Sequence, residues 1–204
     1  MRLRDLESAL SSVDPFDNPK IHLEQIPTSP HIASRMLFTA ANTFDDITGC
    51  GVGDLGCGAG MLSIACNLLG SAYTVGFDVD EEALDNAWVN CRKLDIYDID
   101  LVQTDVQSLQ LTHEFDTIVM NPPFGTRNTG IDTAFVLKGM EYASTVYSLH
   151  KTSTRDHFVR LAEEHDYTLE VLAELKYDIP KTFKHQKLKT KDVFVDLYRF
   201  THKA

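Results

Sequence analysis

The chain has 204 residues, 43% of them hydrophobic, which is enough apolar side chain for one substantial core and sits near the upper end for a single α/β domain. A formal net charge of −11 argues against a surface that grips nucleic acid all over, although a whole-chain average conceals local patches. With no run of about 18 apolar residues, a charged start at Met1-Arg2-Leu3-Arg4-Asp5-Leu6, and four cysteines and eight histidines that show no C-x-x-C pairing or ligand spacing, an intracellular protein without membrane span, disulfide framework or metal site is expected.

Leu3, Leu6, Leu10 and Val13 recur at helical spacing, and Ser29-Pro30 opens a second helix carrying Ile32, Met36 and Leu37. Residues 1–45 therefore read as a helical extension packed on the core, within one domain spanning 1–204. Strand-like runs follow at 51–56, 73–78, 99–104, 115–120 and 144–149, with helices at 60–69, 81–93, 132–143 and 153–165. That alternation predicts an α/β fold, a parallel sheet covered on both faces. The last two runs, 168–177 and 191–201, have no helix between them and should pair antiparallel.

The chemistry-bearing residues fall at strand ends. After the first run comes Asp54-Leu55-Gly56-Cys57-Gly58-Ala59-Gly60-Met61, with three glycines at alternate positions before a helix. Glycine admits conformations closed to other residues and lets a ligand approach the main chain, so this is a nucleotide-binding turn. The spacing is not the G-x-G-x-x-G of a nicotinamide site, and no lysine lies between Gly56 and Lys93 to complete a triphosphate loop. Asp78 ends the second run, where an acid grips a ribose through both hydroxyls, and Asp105 ends the third, where it can accept from an adenine amino group. The fourth run, Thr117-Ile118-Val119-Met120, delivers Asn121-Pro122-Pro123-Phe124. Prolines fix φ and lack N–H groups, so the Asn121 side chain and the Pro122 carbonyl are free to accept both protons of a planar amine, and Phe124 offers a face for stacking. The plainer reading is a proline turn in which Asn caps and Phe fills a hole.

With these residues assembled, the chain resembles the class I S-adenosylmethionine-dependent methyltransferases. The order of its features resembles the methyltransferase-like protein 5 family, which methylates an adenosine N6 in small-subunit ribosomal RNA. Further matches are Leu23-Glu24-Gln25-Ile26-Pro27-Thr28, Tyr147-Ser148-Leu149-His150-Lys151 and Val193-Phe194-Val195-Asp196-Leu197-Tyr198-Arg199-Phe200. Ile26 departs from the family's aromatic residue. The resemblance implies a Rossmann-like, seven-stranded, mostly parallel sheet with helices on both faces and an antiparallel last strand. It implies S-adenosyl-L-methionine held by Gln25, Thr28, Asp54, Gly56, Gly58, Ala59, Gly60, Met61, Asp78, Asp105 and Val106, with catalysis at Asn121, Pro122, Pro123 and Phe124. It also implies a small zinc-binding activator subunit docked along the edge strand 99–104 as a heterodimer, and a location in nucleus and cytoplasm.

Charge is unevenly distributed. Between Thr74 and Asp116 eleven acids face only Arg92 and Lys93, whereas Lys181, Lys184, Lys187, Lys189 and Lys191 form a run without an acid. That run, extended by Lys151 and Arg155 and carrying Phe183, reads as an RNA contact, against the alternative of a solvated loop. Other functions remain open: methylation of a glutamine side chain or of another nucleobase amino group, which use a similar Asn-Pro-Pro loop, and a cofactor-binding subunit without catalysis.

Overall fold

Along each central strand, neighbouring apolar side chains point to opposite faces, so the apolar runs supply two cores at once. Ile118, Met120, Val146, Tyr198 and Phe200 pack on one face with Phe77, Phe135 and Phe158. Val119, Tyr147, Leu149 and Leu197 pack on the other, with Leu6, Leu10, Met36, Leu37 and Ile64. The protein is seen here as a computed structural model that describes residues 1–177 and 193–203.

The strands are β1 Gly51–Leu55, β2 Tyr73–Asp78, β3 Ile99–Gln103, β4 Phe115–Met120, β5 Ala143–Lys151, β6 Tyr167–Tyr177 and β7 Val193–His202. They form one sheet in the order β3-β2-β1-β4-β5-β7-β6. The first five run parallel, and β7 lies antiparallel between β5 and β6. The helices are α1 Leu3–Leu10, α2 Pro30–Asn42, α3 Met61–Leu68, α4 Glu81–Lys93, α5 Ile131–Tyr142 and α6 Arg155–Glu164. Ser29 caps α2 by accepting from the Ile32 N–H at 3.3 Å, with Pro30 in the first turn, as the dipeptide predicts. Because Leu6, Leu10, Met36 and Leu37 share a core with the sheet, the N-terminal helices are built into one of its faces.

The region differs from the sequence reading in one respect that bears on function. Arg155, read as part of a basic surface, instead bonds Asp196 at 2.7 and 2.8 Å and Glu174 at 2.9 Å. Asp196 is fully buried, and a buried carboxylate needs a charged partner. Arg155, Thr152 and Tyr198 hold it below the usual carboxylate range against the opposing effect of burial.

Candidate active site

The C-terminal ends of the parallel strands open into a cavity of about 280 Å³, the place where ligands bind in sheets of this kind. Its floor is the glycine turn. Gly56, Gly58 and Gly60 all have positive φ, and a Cβ on Gly58 would come within 2.6 Å of the Phe16 ring. The turn is tied to the end of β2: the Gly56 and Cys57 N–H groups donate to the Phe77 carbonyl at 2.8 and 2.9 Å, and the Gly58 N–H donates to Asp78 Oδ2 at 2.8 Å. Asp78 Oδ1 accepts from the Asp80 N–H at 2.9 Å, and burial raises the pKa of this carboxyl.

Asp54 stands behind the turn with its side chain fully buried. Its Oδ2 accepts from the Ser63 N–H at 2.9 Å and the Ser63 hydroxyl at 2.6 Å, which anchors the start of α3. Its Oδ1 is buried without a partner. Burial pushes the carboxyl up to about 7; the Ser63 bonds oppose that shift, and the charge of Asp78 adds to it. A buried, unpaired carboxylate oxygen beside a left-handed glycine turn suits a ligand that carries positive charge and comes close to the main chain.

A strap made of residues 14–28 closes the cavity. Asn90 accepts from the Asp14 N–H at 2.9 Å and donates to the Asp14 and Ala59 carbonyls. Lys20 Nζ and Gln25 Nε2 both donate to the Asp80 carboxylate, at 2.5 and 2.7 Å, which holds that carboxyl below its ordinary value despite burial. At the far end Glu24, itself at φ 53°, accepts from the Thr126 and Arg127 N–H groups and the Thr126 hydroxyl. The strap therefore reaches from the end of β2 to the loop after β4.

That loop begins with Asn121. Its Nδ2 donates to the Thr28 hydroxyl at 2.8 Å and to the Tyr177 hydroxyl at 3.1 Å, and its Oδ1 is buried without a partner. Asn121 borders the same cavity as Asp54, Asp78 and Asp105, so the orphaned carbonyl is an acceptor awaiting a donor.

Of the residues singled out from the sequence, Gln25, Thr28, Asp54, Gly56, Gly58, Ala59, Met61, Asp78, Asp105, Val106, Asn121 and Pro123 line this one cavity. Gly60 stands behind it as the left-handed N-cap of α3. Pro122 and Phe124 are buried outside its lining. The Phe124 ring, read as a stacking face, is 8% exposed and belongs to the core with Leu149 and Tyr177. It meets Tyr177 edge-on at 5.9 Å, with Lys151 Nζ 5.7 Å from its centre. Burying the ring is worth about 2 kcal/mol, enough to draw it off an open surface. Gln25 and Thr28 touch the cavity, but their polar atoms bond Asp80, Lys20 and Asn121. Lys181, Lys184, Lys187, Lys189 and Lys191 lie outside the described residues. The sequence reading gave no role to Tyr177 or Asp80 and none of its own to Glu24; Asp80 caps the start of α4, and all three also bond partners 55 or more residues away.

A nucleotide-sized cleft over the first three strands, with an amine acceptor at the tip of the fourth, places the chain among the class I methyltransferases. The methyltransferase small domain family matches residues 28–145. The rRNA N(6)-adenosine-methyltransferase METTL5 of Danio rerio is 52% identical over 98% of this chain and 99% of its own length. The Drosophila melanogaster rRNA N(6)-adenosine-methyltransferase Mettl5 is 46% identical, over 98% of this chain and 96% of its own. A crystal structure from Pyrococcus horikoshii, described as an RNA methyltransferase, superposes with a TM-score of 0.90 at 33% identity, covering 100% of this chain and 99% of that one. The chain belongs to the METTL5 family of methyltransferases.

Proposed function

We propose that the chain uses S-adenosyl-L-methionine to methylate the N6 amino group of an adenosine in ribosomal RNA of the small subunit. The observation that carries this reading is the buried Asn121 Oδ1, which has no partner and belongs to a side chain lining the same cavity as Asp54 and Asp78. An exocyclic amine brings two N–H donors; accepting one at Asn121 Oδ1 orients the nitrogen and leaves its lone pair directed into the cleft. Curated relatives across nearly the full chain are named as rRNA N6-adenosine methyltransferases, which favours adenine over other amines.

The cofactor supplies a methyl group already activated on a sulfonium centre. The residues of this chain bind and orient: Asp78 offers carboxylate lone pairs to a ribose diol, Asp105 and Val106 border the position of the adenine, and Asp54 Oδ1 balances positive charge. Gly58 holds its positive φ without a side chain, and a Cβ there would press on the Phe16 ring at 2.6 Å. Asn121, Pro122, Pro123 and Phe124 hold the acceptor, Phe124 by supporting the loop from the core. The lysines from 181 to 191 contact the RNA backbone.

A small zinc-binding activator subunit docks along β3. Two features support this. The strand lies at the sheet edge with Val102 exposed. Beside it Trp88 is 53% and Tyr97 67% exposed, the two bracketing Arg92. Large apolar groups on an open strand edge invite a partner. Action on ribosomal RNA would place the chain in nucleus and cytoplasm.

The deciding experiment is mass spectrometry of nucleosides from separated ribosomal subunit RNAs, with and without the protein. N6-methyladenosine should disappear from the small-subunit RNA alone. An unchanged nucleoside profile, or methyl transfer to protein glutamine instead, would overturn the proposal.

A further inference from the structure

We infer that Tyr177 is a positioning residue that decides which end of the Asn121 carboxamide faces the substrate, an assignment that rests on the amino-methylation reading above. A carboxamide can sit in either of two orientations of nearly equal shape, and only one presents an acceptor to an amine. With its oxygen in the cavity, Asn121 receives an N–H of the substrate. With its nitrogen there, it repels those N–H groups and competes for the lone pair that must attack.

The choice is made by a chain of directed hydrogen bonds. Tyr177 ends β6, is 2% exposed, and has one hydroxyl proton. The hydroxyl donates that proton to the Pro27 carbonyl at 3.3 Å, leaving only lone pairs on the side of Asn121. A group facing those lone pairs must be a donor, so Nδ2 turns to Tyr177 at 3.1 Å and to the Thr28 hydroxyl at 2.8 Å, and Oδ1 is left as the free acceptor of a side chain that lines the cavity. Pro27 cannot reverse the sequence, because a carbonyl oxygen only accepts. Its own position is set by the strap, which Glu24 pins to the catalytic loop. The polarity of the amine acceptor is thereby written into the strap backbone and read out through one phenol.

Tyr177→Phe removes the hydroxyl while keeping the ring that packs on Phe124, so the fold has no reason to change. In the full chain labelled with nitrogen-15, the Asn121 side-chain N–H pair is identified by its disappearance in Asn121→Asp. In the unsubstituted chain both protons should exchange slowly with solvent; in Tyr177→Phe one should exchange about tenfold or more faster, having lost its acceptor. Turnover on ribosomal RNA should fall by roughly ten- to a hundredfold, with the Michaelis constant for the cofactor unchanged within about twofold. In an Asn121→Ala background the same substitution should cost nothing further, since the group it positions is gone. An unaltered Asn121 amide pair, or losses that multiply in the double variant, overturns the inference. Should the unsubstituted chain methylate no adenosine N6, the proposed function falls, while the amide pair still reports whether Tyr177 sets the orientation.

Discussion

Asn121 gives both amide protons to hydroxyl oxygens of its own protein and keeps one buried oxygen without a donor. Preorganised acceptors of this kind act mainly in the transition state, so Asn121→Ala should lower turnover by about 3 kcal/mol, roughly a hundredfold, while calorimetric titration finds cofactor affinity nearly unchanged. Asp54 carries a different signature. Its carboxyl titrates at about 7, and a cationic ligand group requires the ionised form. Affinity for S-adenosylmethionine should therefore rise with pH up to about 7, by at most roughly tenfold per unit, and then level off. Titration at pH 6 and pH 8 in buffers of unlike ionisation enthalpy checks this, since protons should be released on binding at the lower pH. The sign for stability is opposite in sense. The folded pKa lies above the unfolded one, so this carboxyl favours the free fold most in acid and loses that contribution as pH rises through 7. At this scale the sequence was most legible where a residue's role follows from its place at a strand end, as for Asp54, Asp78 and Asn121. It was silent on Tyr177, whose importance lies in which partner takes its single proton.

The strap is the element that joins the two halves of the cleft. Glu24 holds the Thr126 and Arg127 N–H groups from a left-handed backbone that glutamate seldom adopts, a local cost of order 1 kcal/mol that the three bonds to its carboxylate offset. Glu24→Ala should leave those amides exchanging about tenfold faster and weaken cofactor binding severalfold, as hydrogen exchange and equilibrium titration would show, the size limited by the partial exposure of the carboxylate. Equal exchange at 126 and 127 in both proteins would mean the loop holds itself. The periodic elements were readable in advance because each reflects a local pattern: the Ser29-Pro30 helix start, the buried runs of β1 and β4, the apolar spacing of α1. The strap has no such pattern. Its order comes from Asp80, Asn90 and Thr126, which approach only once the chain has folded.

At the scale of the molecule, the sheet formed by the described residues ends at β3 on one side and at β6 on the other. If a subunit docks on β3, Leu101→Lys should abolish co-purification of the heterodimer and leave cofactor binding by the chain intact; an undiminished complex on size-exclusion chromatography would place the partner elsewhere. Alternating strands and helices announced a parallel sheet with an antiparallel end, but strand order is a matter of distant pairing, and no local signal says that β7 enters between β5 and β6. That insertion ties the amine acceptor to β7. A nascent chain that has not yet delivered Val193 to His202 leaves β5 without its outer neighbour and β6 without any. Tyr177, at the tip of β6, then loses its strand partner Val193 and keeps Phe124, Pro27 and Asn121 as neighbours. The cofactor turn rests on β1 and β2, whereas the residue that orients the amine acceptor sits on a strand whose described pairing is with β7. The cofactor turn and the orientation of the amine acceptor thus draw on segments far apart in the sequence, β1 and β2 for the one and β7, through β6, for the other.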